Sequence, residues 1–130
     1  MTHIDGQVLI VEDQALWREQ FFGEPLQELG LKVFPASTKE EALALVDKYQ
    51  FDLAIIDVNL TAVTGNIDGL IVADHLESSK AKTPIIIVSG STEALQALHE
   101  RRYEVFAEIQ KASFNLEDFI SQVKTAMGQN

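Results

Sequence analysis

The chain contains no cysteine among its 130 residues, which excludes disulfide bonds, thiolate metal ligands and cysteine nucleophiles. Positive charge is also scarce: 10 Lys and Arg residues face 20 Asp and Glu residues, for a formal net charge of −10. That balance argues against nucleic-acid binding, which requires clustered cations. No apolar run approaches the ~20 residues of a membrane-spanning helix, and the first residues lack a signal-peptide pattern. We therefore expect a cytoplasmic protein that does not enter a membrane.

The composition is that of an ordinary globular protein, with 46% hydrophobic and 23% charged residues. A chain of this length can bury a substantial core, so we expect a single domain over residues 1–130. The same length leaves no room for a catalytic domain together with an appended DNA-binding or effector domain.

The segment from Phe51 to Leu60 is an apolar run interrupted by a carboxylate, Asp57. Residues 53–56 show no polar alternation, which predicts a strand that is buried on both faces, as central parallel strands are. An isolated ionised carboxylate is costly to bury. We therefore expect Asp57 at the carboxyl end of the strand, in the crevice where open α/β sheets bind ligands. Considered alone, Asp57 could equally cap the turn that follows the strand.

Other apolar runs and helical patterns alternate with this strand. They predict strands at residues 7–11, 32–36, 84–88 and, least clearly, 104–110. Helical periodicity predicts five helices. The first covers 14–29, the second runs from the segment 37–41 to about 49, the third begins near 68, the fourth covers 92–102 and the last begins near 114. Five alternations of strand and helix predict an α/β fold with a doubly wound parallel sheet.

Local signals refine three of these helices. Gly23 and Pro25 predict a kink or break in the first one, and residues 37–41 contain a capping box at the start of the second. We interpret Trp17 and Phe21 as core residues, with an exposed contact patch as the alternative. An apolar stripe is predicted to face the core along the last helix, at Leu116, Phe119, Ile120, Val123 and Met127.

Polar residues follow the strands: Glu12 and Asp13 the first, Asp57 the third, Ser89 the fourth and Lys111 the fifth. In a parallel sheet these ends share one edge, so the side chains converge if the strands are neighbours. At about 4 Å and an effective dielectric near 20, each pair of carboxylates repels by about 4 kcal/mol. A divalent cation with oxygen ligands relieves that repulsion, and the ligand types suit Mg²⁺.

A lysine and a hydroxyl at the same edge match the needs of a bound phosphoryl group. An aspartate beside Mg²⁺ is then a candidate nucleophile that accepts phosphate as an acyl phosphate. These patterns predict a Mg²⁺-dependent phosphoryl site. They do not distinguish a phosphate acceptor from a hydrolase.

Five segments, taken in order, carry a family resemblance over essentially the whole chain: 8–13, 52–60, 68–69, 86–90 and Lys111. In sequence and spacing they resemble the receiver domain of response regulators in two-component and phosphorelay signalling. The resemblance implies a flavodoxin-like five-stranded sheet of order 2-1-3-4-5 with five helices. It also implies a histidine kinase or phosphotransfer protein that passes phosphate from histidine to Asp57. Such a domain switches a partner-binding surface and is not an enzyme beyond its own phosphoryl transfer.

The resemblance also implies roles for single residues around the metal. Asp57 matches the phosphoacceptor, Asp13 the direct Mg²⁺ ligand, and Glu12 the acidic partner that holds the metal, often through water. Asn59 stands where the family offers a backbone carbonyl to the metal, and its side chain is expected to face the site. The implied metal set is therefore Glu12, Asp13, Asp57 and Asn59.

For the switch, the resemblance implies that Ser89 supplies the hydroxyl and Lys111 the ammonium that meet the phosphoryl oxygens. Ala112 departs from the family, which usually has proline after a cis bond here. We expect either a trans bond with a shifted loop or a strained cis bond. Glu108 occupies the usual position of a switch aromatic, and Phe106 lies two residues earlier. The switch region around these two residues therefore has no assigned mechanism.

The loop between Asp57 and Gly69 is longer than is typical of the family and lacks a common proline at Thr61. It either covers the site, reshapes a partner surface, or reflects neutral length variation, which costs little.

Two alternative functions remain at this stage. One is a degenerate receiver that acts only as a binding module, which Glu108 and Ala112 favour and the retained acids oppose. The other is a small Mg²⁺-dependent phosphatase of the haloacid-dehalogenase type. That class resembles an Asp-x-Asp pattern, and this chain has Asn59 two residues after Asp57, which argues against it. The sequence does not identify a downstream effector, and it leaves a homodimer open.

Overall fold

The computed structural model describes residues 3–60, 66–79, 82–90, 96, 99 and 105–128. Within them, five strands form one sheet in the order β2-β1-β3-β4-β5, and every neighbouring pair is parallel. The strands are β1 (Gln7–Val11), β2 (Lys32–Ala36), β3 (Leu53–Asp57), β4 (Ile85–Ser89) and β5 (Ala107–Gln110). The flavodoxin-like order is confirmed. The run without polar alternation is the central strand β3, with all five residues buried.

The helices connect these strands or follow the last one. A π-helical segment (Leu16–Gly23) continues into α1 (Glu24–Glu28), followed by α2 (Lys39–Lys48), α3 (Asp68–Glu77) and α4 (Leu116–Ala126). A short 3₁₀ turn covers Lys111–Ser113. Counting the π segment with α1, the described residues contain four of the five expected helices. The helix predicted at 92–102 lies outside them, apart from Gln96 and His99.

The break predicted in the first helix takes the form of a change in helix type. The Glu24 N–H bonds the carbonyl of Glu19, five residues back, as in a π-helix. Pro25 then falls in the first turn of α1, where its missing N–H leaves no intrahelical bond unmade. A Cβ atom on Gly23 would stand 2.8 Å from the Arg18 carbonyl oxygen. Glycine therefore permits the tight backbone contact at this junction.

The capping box at α2 is confirmed. Thr38 Oγ1 accepts a hydrogen bond from the Glu41 N–H at 3.1 Å. The Glu41 carboxylate in turn accepts from the Ser37 N–H at 2.8 Å and from its hydroxyl at 3.0 Å. These bonds satisfy backbone donors at the helix start and fix where the chain leaves the sheet edge.

The core consists of two clusters, one on each face of the sheet. One packs strand residues such as Ile56 and Ile87 against α2 and α3, and the other packs Ile55 and Ile86 against the first helix and α4. Alternate residues of the central strands enter opposite clusters because side chains alternate along a strand. Among the described helices, none combines the length and the apolar character that a bilayer crossing requires.

The interpretation of Trp17 and Phe21 as core residues is confirmed, since both pack, half-buried, against the second cluster. The predicted stripe of α4 is wrong at Leu116, which is 49% exposed, whereas Phe119 and Val123 are fully buried. Leu116 opens the helix beside its N-cap Asn115.

Candidate functional site

Three acids meet at the carboxyl edge of the sheet. Glu12 and Asp13 directly follow β1, and Asp57 is the last residue of the adjacent β3. Glu12 is completely buried, Asp57 is 3% exposed and Asp13 is half-buried. One carboxylate oxygen from each lies within 4.8 Å of the other two. The convergence expected from the sheet topology is therefore present.

Lys111 reaches the same point from the end of β5. Its Nζ donates to Asp57 Oδ2 at 2.8 Å and lies 2.8 Å from Glu12 Oε1. Glu12 Oε1 is therefore ion-paired with this ammonium. The other oxygen, Oε2, accepts from the Gln14 N–H at 3.1 Å.

The proton affinities reflect this crowding. Burial and the neighbouring charge of Asp57 raise the pKa of Glu12 to about 8, and the nearby Lys111 only partly opposes them. Burial lowers the pKa of Lys111, but its contacts with Asp57 and Glu12 outweigh that effect and hold it above its usual value. Lys111 is therefore a cation that offsets part of the negative charge.

The residues present fit a small divalent cation. Among the described residues, the three carboxylates of the site outnumber the one ammonium, that of Lys111, which lies 2.8 Å from the buried oxygen Glu12 Oε1. Oxygens of Asp13 and Asp57 lie near enough to share a ligand with it. Carboxylate oxygens are the ligands that Mg²⁺ prefers.

Asn59 connects Asp57 to the loop that follows β3. Its N–H donates to Asp57 Oδ1 at 3.1 Å. Its side-chain amide donates to the carbonyl of Asn66. This hydrogen bond connects the two ends of the loop. The side chain of Asn66 accepts from the Leu60 N–H at 2.9 Å and from the Asp68 N–H at 3.2 Å. The intervening residues 61–65, including Thr61, lie outside the described part.

The pair Asp68–Gly69 opens α3 against the end of β3. The Gly69 N–H donates to the Val58 carbonyl at 2.9 Å, and a Cβ atom on Gly69 would overlap the Asp57 carbonyl oxygen. Asp68 Oδ1 lies 4.0 Å from the ammonium of Lys39. Glycine at this position lets the helix approach the strand that carries Asp57.

Ser89 is the last residue of β4 and is 1% exposed. The register pairs Val88 with Asp57, which places Ser89 at the same edge as the acids. The Lys111–Ala112 peptide bond is trans, since no described peptide bond is cis. Of the two expected arrangements, the trans one is present, and the chain turns there in the 3₁₀ segment.

Phe106 and Glu108 lie at the surface. Phe106 is 44% exposed, and Glu108 Oε1 lies 2.8 Å from Nε2 of His99. Glu108, where the resemblance implied a switch aromatic, therefore contacts a surface histidine.

Sequence reasoning missed two residues of the first helix. Nη1 of Arg18 donates to the carbonyls of Glu12 and Asp13 at 3.1 and 3.2 Å. The ring of Trp17 lies 5.1 Å from Nζ of Lys111. The sequence predicted that Trp17 and Phe21 pack in the core, but not that Trp17 lies beside Lys111. No local pattern marks Arg18.

Comparisons with known proteins identify the family of the chain. The sequence model described as the response regulator receiver domain matches residues 8–124. The chain is 33% identical over 87 residues to the cell cycle transcriptional regulator CtrA of Caulobacter vibrioides, covering 67% of this chain and 36% of CtrA. It is 36% identical over 84 residues to the two-component response regulator PhoP of Pseudomonas aeruginosa, covering 65% of this chain and 35% of PhoP. It thus spans about a third of the length of both relatives.

Solved structures show the same likeness. The response regulator protein TrrA from Thermotoga maritima, in complex with Mg²⁺ and BeF, has a TM-score of 0.74 at 27% identity, over 97% of this chain and 99% of TrrA. The chemotaxis protein CheY4 from Vibrio cholerae has a TM-score of 0.76 at 26% identity, over 95% of this chain and 99% of CheY4.

Proposed function

Because the chain belongs to the response regulator receiver domain family, we propose that it is a phosphorylatable switch of a two-component system. A histidine kinase or phosphotransfer protein donates the phosphoryl group, and Asp57 accepts it. The observation that carries this proposal is the buried Asp57 carboxylate, hydrogen-bonded to Lys111 at 2.8 Å beside the carboxylates of Glu12 and Asp13.

In the transfer, a carboxylate oxygen of Asp57 bonds to phosphorus while the bond from phosphorus to the donor histidine nitrogen breaks. The imidazole leaves, and Asp57 becomes an acyl phosphate. Lys111 already lies at the accepting carboxylate, where its ammonium can pair with a phosphoryl oxygen. The Asn59 N–H holds the other oxygen of Asp57, which orients the nucleophile before the donor arrives.

Glu12, Asp13 and Asp57, with the backbone carbonyl of Asn59, are the residues that would hold Mg²⁺. A bound Mg²⁺ supplies positive charge that offsets the negative charge of the phosphoryl group and the acids. Arg18 supports this set by holding the carbonyls of Glu12 and Asp13.

The switch follows from the same contacts. Phosphorylation draws the hydroxyl of Ser89 and the ammonium of Lys111 toward the phosphoryl oxygens, and the surface at the last strands and helices changes. A partner protein that reads this surface then responds. Phe106 and Glu108 lie on that part of the fold, and their pairing and exposure differ from a buried aromatic switch. A downstream effector, a homodimer and a cytoplasmic location remain predictions.

A second candidate function is a binding module that is never phosphorylated. The contact of Glu108 with His99 favours it, because a carboxylate occupies the position of the usual switch aromatic. The retained Asp57 and Lys111 favour the phosphorylated switch.

The proposal is tested by intact mass after incubation with acetyl phosphate and Mg²⁺, with acid quenching at short times. We expect the wild type to gain one phosphoryl group in a form that hydroxylamine removes, and Asp57→Asn to gain none. Asp47→Asn, an aspartate whose side chain is 74% exposed on α2, is the matched control and keeps the adduct. A wild type that binds Mg²⁺ but forms no adduct would favour the binding module, and turnover of p-nitrophenyl phosphate would favour a phosphatase.

A further inference from the structure

The ammonium of Lys111 has an aromatic neighbour as well as its two carboxylates. Its Nζ lies 5.1 Å from the centroid of the Trp17 ring, and 2.8 Å from Asp57 Oδ2 and from Glu12 Oε1. An ammonium within about 6 Å of an indole face is attracted by the negative face of the ring, most strongly where water is excluded. The side chain of Lys111 is only 14% exposed, so this contact is largely desolvated.

The orientation of the Trp17 ring is set by its packing. The ring lies 4.5 Å from Phe21, 5.6 Å from Phe22 and 5.3 Å from Phe114, which it meets edge-on at 88°. Phe21 and Phe22 belong to the π-helical segment, and Phe114 follows the 3₁₀ turn that begins at Lys111. The ring that faces the ammonium is therefore clamped between the first helix and the chain that carries the lysine.

On the strand itself, the side chains around Lys111 supply no aromatic support. Glu108 pairs with His99 at the surface and Phe106 is 44% exposed. Among the described residues, Trp17 is the aromatic ring within cation–π distance of Lys111.

We propose that Trp17 is a positioning residue for the phosphoryl-transfer site. Its ring holds the Lys111 ammonium beside Asp57 Oδ2, and from this position the ammonium moves to an oxygen of the incoming phosphoryl group. The inference rests on the proposed function, because positioning matters only if Asp57 accepts phosphate. Two carboxylates attract the ammonium toward the acids, and the ring restricts the remaining directions. The lysine therefore enters the reaction ordered rather than searching for the phosphoryl oxygen.

The test compares the rate of adduct formation with acetyl phosphate and Mg²⁺ among matched variants. We expect Trp17→Leu to slow it about three- to tenfold, the range that a contact of this kind converts to. Trp17→Phe, which keeps an aromatic face, restores most of the rate. Phe34→Leu removes a ring that packs against Tyr49 and Phe51 on the opposite face of the sheet, and it leaves the rate within about twofold of the wild type. Urea unfolding of each variant shows that the fold is retained.

A double-mutant cycle separates positioning from packing. In a Lys111→Met background, Trp17→Leu has no ammonium to position, so we expect no further slowing. The same several-fold loss in that background would overturn the inference, because Trp17 would then act through packing alone.

A second measurement needs no phosphorylation. In the resting protein, the NMR signals of the Lys111 ε-methylene protons are expected upfield through the ring current of Trp17. They move to their ordinary position in Trp17→Leu and stay in Phe34→Leu, which lies in the other core cluster. Unchanged signals in Trp17→Leu would overturn the contact.

A wild type without any adduct would overturn the proposed function and with it the role of Trp17, whereas equal rates in wild type and Trp17→Leu would overturn only the role of Trp17.

Discussion

Gly69 lies directly against Asp57: a Cβ atom on Gly69 would overlap the carbonyl oxygen of Asp57. The Gly69 N–H also donates to the carbonyl of Val58 at 2.9 Å. The start of α3 is thus in backbone contact with the segment that presents the candidate phosphoacceptor. Because the obstacle is backbone rather than a flexible side chain, a methyl group here requires the strand end or the helix to shift.

Replacing this glycine by alanine should therefore destabilise the fold. We expect Gly69→Ala to lower the free energy of unfolding by at least the 1–3 kcal/mol or so typical of overpacking, measured by urea denaturation. Gly90→Ala is the control, because a Cβ there meets nothing nearer than Lys111 Cδ at 3.8 Å. It should stay within about 0.5 kcal/mol of the wild type. Equal stability of the two variants would contradict the close approach of Gly69.

The buried Glu12 makes the stability of the metal-free protein depend on pH. Burial, and next the charge of Asp57, raise the pKa of Glu12 from 4.5 to about 8 in the folded state. Between these values the folded protein keeps a proton that the unfolded chain releases. The contribution of Glu12 to stability is therefore fully present below pH 4.5 and is lost as pH rises to about 8, by up to about 1.4 kcal/mol per pH unit.

This dependence is measured by urea denaturation in EDTA across that pH range. Glu12→Gln, which cannot ionise, is the control and should flatten the slope. If the free energy of unfolding changes with pH equally steeply in the wild type and in Glu12→Gln, Glu12 is not protonated in the metal-free fold.

Arg18 should contribute to metal affinity through geometry rather than charge. One nitrogen of its guanidinium, Nη1, donates to the carbonyls of both Glu12 and Asp13 at 3.1 and 3.2 Å. The ammonium of a lysine lies one bond nearer the backbone and does not occupy the same position. We expect Arg18→Lys, which keeps the charge, to weaken Mg²⁺ binding about three- to tenfold, as the loss of one such bond would. Calorimetric titration checks this, with Lys39→Arg, which also keeps its charge near the same edge, as control. Unchanged affinity in Arg18→Lys would show that the turn holds its shape without these two hydrogen bonds.

Asn66 should stabilise the loop after β3 through its side-chain oxygen. That oxygen accepts from the N–H groups of Leu60 and Asp68, so Asn66→Ala leaves both donors without this partner. We expect a loss of about 0.5–1.5 kcal/mol per hydrogen bond in the free energy of unfolding. Asn66→Asp keeps an acceptor and should lose less. If the two variants lose equally in urea denaturation, the hydrogen bonds of the side chain do not hold the loop.

Much of the fold could be read from local patterns. The unbroken apolar run before Asp57 predicted a central strand because burial on both faces leaves no polar alternation. The capping box predicted the start of α2 because its hydrogen bonds involve neighbours in sequence. The prediction failed at Leu116 because periodicity extends the apolar stripe to the first residue of the helix, whereas the burial of that residue depends on what packs against it, and Leu116 is 49% exposed.

The site was partly predictable for the same reason. Glu12, Asp13 and Asp57 follow apolar runs, so a parallel sheet had to bring them to one edge. Two features depended on tertiary context. The sequence left open whether the Lys111–Ala112 bond is cis or trans. It predicted that the Asn59 side chain faces the site but not that this side chain bonds the carbonyl of Asn66.

The sequence by itself determined the five strands, the edge at which the acids gather and the lysine that follows the last strand, because these depend on hydrophobic period and on chain order. Only the tertiary structure decided that Trp17 faces Lys111 and that Arg18 holds the carbonyls of Glu12 and Asp13. Their placement depends on the π-helical turn of the first helix and, for Trp17, on packing against Phe114, far away in sequence. A contact between such distant residues leaves no local pattern from which it could be predicted.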